Sequence, residues 1–320
     1  MANPQFAELF RRYQNNPIIT ARDVPYPANT VFNAGATVAL EETLLLLRVE
    51  DRRGLSHLTA ARSRNGFDGW RIDAEPTLLP SPRTHPEEEW GIEDPRITRL
   101  EEEERWAITY TAYSTGGPLV SLATTRDFGS FERHGSVMPP EDKDAALFPV
   151  RFHGRWAMIH RPVSTFPGVG AHIWISFSPD LKHWGDHQIL IPARRGAWWD
   201  AGKVGLSPPP MKTDEGWLIL YHGVKETPAG CIYRVGLAML DLDDPRRLIA
   251  RSDEWVFGPE APYETIGDVD KVVFPCGWTL MGDQVRLYYG AADTSIAMAT
   301  ASLSDLLAWL KDHNSLRGDR

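Results

Sequence analysis

Five segments of this chain repeat one pattern: a polar or turn residue, an apolar run that often includes an aromatic, then polar residues at the exit. They are Thr43–Arg48, Arg105–Tyr113, Arg155–Arg161, Gly216–His222 and Gln284–Gly290. Their starts lie about 50 to about 67 residues apart, the length of a four-stranded antiparallel blade with its loops. Further strand candidates, His57–Arg62, Val120–Thr124, His172–Ser176, Val235–Met239 and Ser295–Ala299, each come about 5 to 13 residues after the preceding strand, as the next strand of a meander would. Three turn-rich echoes, Arg64–Trp70, Arg126–Phe131 and Ser178–Trp184, each end in an aromatic. Such quasi-repeats mark radial repetition, and the period predicts an all-β chain: a five-bladed β-propeller with short terminal helices, one catalytic domain over residues 1–320. A β-sandwich with insertions would hold the strands but leave the period unexplained. The 12 Trp, 25 Pro and 26 Gly suit many short strands joined by turns. Helices are expected only at Asn3–Gln14 and at about 302–314, where Leu303, Leu306, Leu307 and Leu310 have amphipathic spacing behind Ser302 or Ser304 as cap.

The formal net charge of −9, with no basic block, argues against nucleic-acid or anionic-membrane partners. An anionic ligand must be met by a local cluster of cations. No run approaches the ~20 apolar residues that span a bilayer. Met1–Gln14 lacks the apolar centre of a secretory signal, and Cys231 and Cys276 match no metal or redox spacing. They read as small buried residues in a reducing compartment, which makes a cytoplasmic location the expectation. The acidic surface with scattered Trp is compatible with a monomer or a homo-oligomeric ring.

If the five repeated strands are equivalent, their exits share one rim. Arg48 and Glu50, Tyr113, His160 and Arg161, His222, and Asp293 just past the fifth strand lie there. One polar site per blade converging on the axis is how propellers build a pocket. In Gly91-Ile92-Glu93-Asp94-Pro95-Arg96, proline excludes a regular helix and holds Asp94 extended beside Trp90, Ile92 and Arg96. A carboxylic acid in half-apolar surroundings can keep its proton near neutral pH and act as a general acid; the plainer reading is an Asp-Pro turn with a surface ion pair. Arg161, Lys203 and His222, with Lys143, have the chemistry of a phosphate clamp. The alternative pairs Lys203 with Asp200 or Asp214 and makes His222 a core histidine. Asp200, Asp268 and Asp270 fit no oxygen-cage pattern, so no metal site is expected.

Ten short motifs in order give these positions a context. They are Asn15–Thr20, Val31–Ala36, Leu47–Asp51, Gly91–Arg96, Leu147–Pro149, His160–Pro162, Gly202–Gly205, Trp217–Gly223, Val272–Pro275 and Tyr288–Thr294. Through them the chain resembles glycoside hydrolase family 130, the β-mannoside phosphorylases and related β-mannosidases, over nearly its whole length. The resemblance implies a five-bladed propeller, with Asp94 as general acid and Asn33, Arg48 and Asp293 gripping the transferred mannose. It also implies a phosphate site of Arg161, Lys203 and His222, with Lys143 where arginine is more usual. The reaction implied is inverting phosphorolysis of β-mannosides to α-mannose 1-phosphate. The partners it implies are a small oligosaccharide and inorganic phosphate as co-substrate, with no cofactor, and the proton passing through a mannose hydroxyl. A phosphorylase needs only the acid, whereas an inverting hydrolase also needs a carboxylate base.

Two other readings stay open at this stage. One is a hydrolase with Glu50, Glu260 or Glu264 as base, and the other a non-catalytic carbohydrate-binding propeller. The cation set argues against both. The expected acceptor is glucose, N-acetylglucosamine or another mannose, and Trp70, Trp90, Trp198 and Trp199 are candidate stacking platforms for it.

Overall fold

The apolar runs are continuous because the strands that carry them are buried on both faces. In Glu42–Glu50, Leu44 and Leu46 point to one side while Leu45 and Leu47 point to the other. In Gly216–Thr227, Trp217, Ile219 and Tyr221 alternate in the same way with Leu218 and Leu220. A strand sandwiched between two neighbours reads as unbroken hydrophobicity rather than as alternation.

A computed structural model of the chain describes residues 8–164, 166, 168–228 and 230–316. Their strands form five antiparallel sheets. Blade 1 is Thr30–Ala39, Glu42–Glu50, Ser56–Ser63 and Arg71–Ile72, and blade 2 is Ile92–Leu100, Arg105–Ser114, Gly117–Thr125 and Glu132–Ser136. Blade 3 is Asp142–Phe152, Arg155–Pro162, Ile173–Ser178 and Gly185–Ile191. Blade 4 is Lys203–Leu206, Gly216–Thr227, Gly230–Leu240 and Leu248–Arg251, with Met211–Thr213 as an added edge. Blade 5 takes Val273–Met281, Gln284–Ala291 and Ser295–Ser302 from the end of the chain and Arg11–Arg12 from its beginning. Each of the five repeated segments is the second strand of its blade, and the further candidates fall in the third strands. The core is divided into five apolar clusters, one between each pair of neighbouring blades. The first strands of the blades pack side by side around the axis.

The C-terminal helix forms over Leu303–Asp312, and Ser302 Oγ accepts from the Asp305 N–H. The helix expected over Asn3–Gln14 does not form in its described part; residues 3–7 lie outside the described residues. Arg11 and Arg12 instead pair with Thr300 and Ala299 and close the ring. Phe10, buried, packs edge-on against Phe257, and Arg12 donates to Glu264. Burial and a free sheet edge outweigh local helix preference here. Cys276 is buried as expected, whereas Cys231 is exposed at the start of a strand. Among the described residues, no helix is long and apolar enough to cross a membrane.

Candidate active site

Three consecutive blades bring a polar residue to the axis by one device. The first strands of blades 1, 2 and 3 each break register at a bulge, after Phe32, Glu93 and Lys143. The residue that follows, Asn33, Asp94 or Asp144, has φ of 50°, 50° or 54°. Left-handed backbone is costly for most side chains and least so for Asn and Asp, and a bulge re-aims the side chain it carries. Asp293 reaches the same region from the turn after Gln284–Ala291, with φ 52°.

These side chains line a 310 Å³ cavity at the strand exits, together with Arg48, Glu93, Lys143, Arg161, Tyr233 and Phe274. One wall is an acid held by donors. Asp94 Oδ1 accepts from Asn33 Nδ2 and from Arg48 Nη1, both at 2.9 Å. Burial raises the Asp94 pKa, but Arg48, Lys143 and the two hydrogen bonds overcome it and hold the carboxyl below its ordinary value. Asp293 is the opposite case: burial, and then the charge of Asp94, push it up to about 6. Two carboxyls of one cavity are thus driven apart, and below about pH 6 it is Asp293 that holds a proton. The expectation that Asp94 itself can keep its proton near neutral pH is corrected: its carboxyl is held below the ordinary value. Its surroundings are cationic rather than apolar, and Arg96 reaches only its backbone oxygen, at 3.3 Å.

The other wall gathers cations around Asp144. Its Oδ2 accepts from Arg161 Nε at 2.6 Å and lies 3.4 Å from His222 Nε2, while Oδ1 accepts from Arg96 Nη2 at 3.2 Å. These charges hold Asp144 well below the usual carboxylate range despite complete burial. Arg96 is 1% exposed and also donates to the Leu206 and Ser207 carbonyls, tying blades 2, 3 and 4 together at the axis. Room for this cluster comes from Gly205, where a Cβ would collide with the Asp144 carboxylate and the His222 ring. Glu93 bridges the two walls, 3.1 Å from Arg48 Nη2 and 3.8 Å from Lys143 Nζ. The Tyr233 hydroxyl, pushed up to about 12 by burial and by Asp144, remains a donor at working pH.

Of the residues singled out in the sequence, Asn33, Arg48, Asp94, Lys143, Arg161 and Asp293 line this one cavity. His222 and Lys203 do not. His222 lies fully buried behind Asp144, its ring 4.8 Å from Phe274, and burial lowers its pKa so that it is neutral at pH 7. Lys203 heads the first strand of blade 4, opposite Val224, and pairs with neither Asp200 nor Asp214 among the described residues. His160 bonds Asp142 at 2.6 Å and Ser176 at 2.7 Å, inside blade 3 rather than in the cavity. Glu260 and Glu264 lie against Arg12, away from the cavity, and Glu50 sits 3.7 Å behind Arg48. Tyr113 and the four tryptophans also stand outside it: Trp90 meets Tyr113 edge-on at 5.1 Å, and Trp70 meets Tyr288 at 6.0 Å. Asp144, Arg96, Glu93 and Tyr233 escaped the sequence reading. A usable signal existed in the three bulges, Asn33-Ala34-Gly35, Asp94-Pro95-Arg96 and Asp144-Ala145-Ala146, each Asn or Asp before a small residue or proline.

The cavity therefore offers a carboxyl pair with donors on one side and a guanidinium, an ammonium and a phenol on the other. A family model described as beta-1,4-mannooligosaccharide phosphorylase matches residues 7–312. The chain is 34% identical to the beta-1,2-mannobiose phosphorylase of Listeria innocua serovar 6a, covering 94% of this chain and 98% of that protein. It is 32% identical to the beta-1,4-mannooligosaccharide phosphorylase of Ruminococcus albus, covering 97% of this chain and 93% of that protein. The solved complex of the L. innocua enzyme with beta-1,2-mannobiose superimposes with a TM-score of 0.86 at 32% identity, over 94% of this chain and 99% of that one.

Proposed function

The chain belongs to glycoside hydrolase family 130, and we propose that it cleaves a β-mannoside by inverting phosphorolysis, giving α-mannose 1-phosphate and a shortened sugar. It is a glycoside phosphorylase. The observation that carries the reaction is the two-walled cavity: Asp94 with Asn33 and Arg48 faces Arg161, Lys143 and Tyr233 inside one 310 Å³ space. In a chain of net charge −9 an anion must be met by local cations, and Arg161 and Lys143 supply them in this cavity.

In this reading mannose occupies the Asn33–Arg48–Asp293 side and phosphate enters between Arg161 and Lys143. A phosphate oxygen forms the bond to the anomeric carbon as the bond to the leaving sugar breaks. The leaving oxygen takes the proton that Asp94 supplies, directly or through a mannose hydroxyl. Arg48, Lys143 and Asn33 keep Asp94 ionised, so the proton must be loaded. Phosphate does this: its negative charge offsets Lys143, raises the Asp94 pKa, and favours passage to Asp94 of a proton that Asp293 takes up below about pH 6. No general base is required, because phosphate is already an anionic nucleophile; positioning and charge supply the rest.

The linkage is either β-1,2 or β-1,4. The relatives named for β-1,2-mannobiose and for β-1,4-mannooligosaccharides match at similar identity, 34% and 32%. Product analysis with β-1,2-mannobiose, β-1,4-mannobiose, mannosyl-glucose and mannosyl-N-acetylglucosamine, each with and without phosphate, tests the reaction and names the acceptor. Mannose 1-phosphate is expected from one or two of them, only with phosphate. Free mannose at an equal rate without phosphate would replace this reading with hydrolysis.

A further inference from the structure

We propose that blade 4 carries a second saccharide-binding site, separate from the catalytic cavity: a 580 Å³ groove walled by Trp198, Trp199 and Trp255, with Arg195, Arg234 and Glu254 at its edges. Neighbouring residues of one strand point to opposite faces of a sheet. Tyr233 lines the catalytic cavity and Arg234 lines the groove, so the two sites back onto each other across the rim end of blade 4. No residue lines both.

The groove is built rather than incidental. Trp199 occupies space that Gly223 and Gly236 leave open; a Cβ at either would come within 2.6 Å of the indole. The ring stacks on Tyr221 at 5.5 Å, and its Nε1 donates to the Asp253 carbonyl at 3.1 Å. Trp198 is the exposed counterpart, 42% accessible, and it lies 4.3 Å from the Arg194 guanidinium. Arg194 is itself anchored. It donates to fully buried Asp200 at 3.0 Å, to the Ser252 carbonyl at 2.8 Å and to Ser315 at 2.9 Å. Asp200 also takes Arg251 and Tyr221, so the prop under Trp198 cannot swing. Arg234 lies 4.5 Å from the Trp255 ring, and neither Arg234 nor Arg195 enters an ion pair among the described residues.

A fixed, solvent-facing indole with charged donors and acceptors around it fits a hydroxylated ring: the apolar sugar face stacks while guanidinium and carboxylate meet the hydroxyls. The edge charges balance, Arg195 and Arg234 against Asp253 and Glu254. That disfavours a phosphate ester or a nucleic acid, which would call for net positive charge. It also distinguishes the groove from a mainly apolar trough for a peptide helix. The ligand class is thus a neutral oligosaccharide. Its identity as a β-mannan chain rests on the proposed reaction. The groove would hold such a chain to the protein while its end is processed.

Affinity electrophoresis through native gels containing soluble β-mannan, without phosphate, tests this. The wild-type protein is expected to be retarded. Arg48→Ala and Asp293→Asn, which disturb the catalytic cavity, are expected to be retarded equally. Trp198→Ala is expected to bind roughly fivefold to tenfold more weakly, the scale of one lost ring contact. Trp198→Phe should recover part of the retardation, and Trp198→Ala should keep its phosphorolysis of a disaccharide. Unchanged retardation of Trp198→Ala would overturn the proposal, as would release of both cavity variants. A change in the oligomeric state of Trp198→Ala on size-exclusion chromatography would also overturn it, making the groove an interface between copies. The disaccharide assay reads the reaction independently, so a retarded protein that forms no sugar phosphate would sink the function and leave the groove standing.

Discussion

Asp94 and Asp293 line one cavity with their pKa values pushed in opposite directions, and this makes sharp predictions. Replacing Asp94 by Asn keeps the shape and the contact with Arg48 but removes the acid. The turnover number should fall by roughly 10²- to 10⁴-fold, the range typical of a lost general acid, while the KM for phosphate changes little. In the free enzyme kcat/KM should decline as pH rises through about 6, where the proton held on Asp293 is lost. A flat profile between pH 5 and 8 would contradict proton passage from Asp293 to Asp94. Stability carries the same signature. The folded pKa of Asp293 is raised from 3.8 to about 6, so the native state binds the proton more tightly than the unfolded chain. Its stabilising share is fully present below pH 3.8 and lost as pH climbs through 6. Asp293→Asn removes a carboxylate that is costly to ionise. It should therefore raise stability at pH 7.5 by on the order of 1–3 kcal/mol, leave it unchanged near pH 4, and weaken mannoside binding. Urea melts at the two pH values decide it.

The bulged first strand is what makes the cavity possible. Asp144 illustrates the dependence, because it is the counter-charge that Arg161 and Arg96 share, with the His222 ring beside it. Asp144→Ala would leave two buried guanidiniums without that partner, a loss of roughly 3–5 kcal/mol by the measure of broken buried pairs. Asp144→Asn keeps the volume and should fold better, yet with a raised KM for phosphate because Arg161 is no longer held in place. An unchanged phosphate KM in a folded Asp144→Asn protein would show that Arg161 needs no such anchor. The same strand explains what the sequence made legible. The second strands, buried on both faces, announced themselves as apolar runs, and their spacing gave the blade count. The turns after the third strands announced themselves too: Asn65, Asp127 and Asp180 each accept from the backbone two and three residues on. Asp241 makes the same turn in blade 4 but was missed, since no aromatic follows it. The first strands were harder to read. They are shortened or bulged, and a residue such as Asp144 or Arg96 takes its meaning from partners on other blades, which no local pattern records. His222 stood out because histidine is scarce, yet its burial behind Asp144 depends on Gly205 in the neighbouring strand.

The ring as a whole is closed by residues far apart in the chain, and its stability should reveal that. Arg11–Arg12 completes blade 5 across the full length of the sequence, and the helix Leu303–Asp312 packs Leu306 and Leu310 into the same cluster as Phe10. Glu264 is the electrostatic half of the latch. Fully buried, it accepts from Arg12, from the Tyr289 hydroxyl at 2.7 Å and from the Glu260 and Ala261 N–H groups. Were the N-terminal strand an accessory, Phe10→Ala would merely let it fray, and the rest of the molecule would melt as before. A closed propeller behaves otherwise, because opening one junction exposes the apolar faces of blades 4 and 5 together and frees the first strands whose bulges carry Asp94 and Asp144. Phe10→Ala should cost roughly 3–5 kcal/mol, as expected for a buried phenylalanine. Arg12→Ala should likewise destabilise the fold by stranding Glu264. Either loss should lower the midpoint of one cooperative transition, with near-ultraviolet circular dichroism of the core aromatics and phosphorolytic activity vanishing together. A first transition that removed activity while most of the aromatic signal persisted would show instead that the blades unfold piecemeal, and that the cavity depends on the latch more than the fold does.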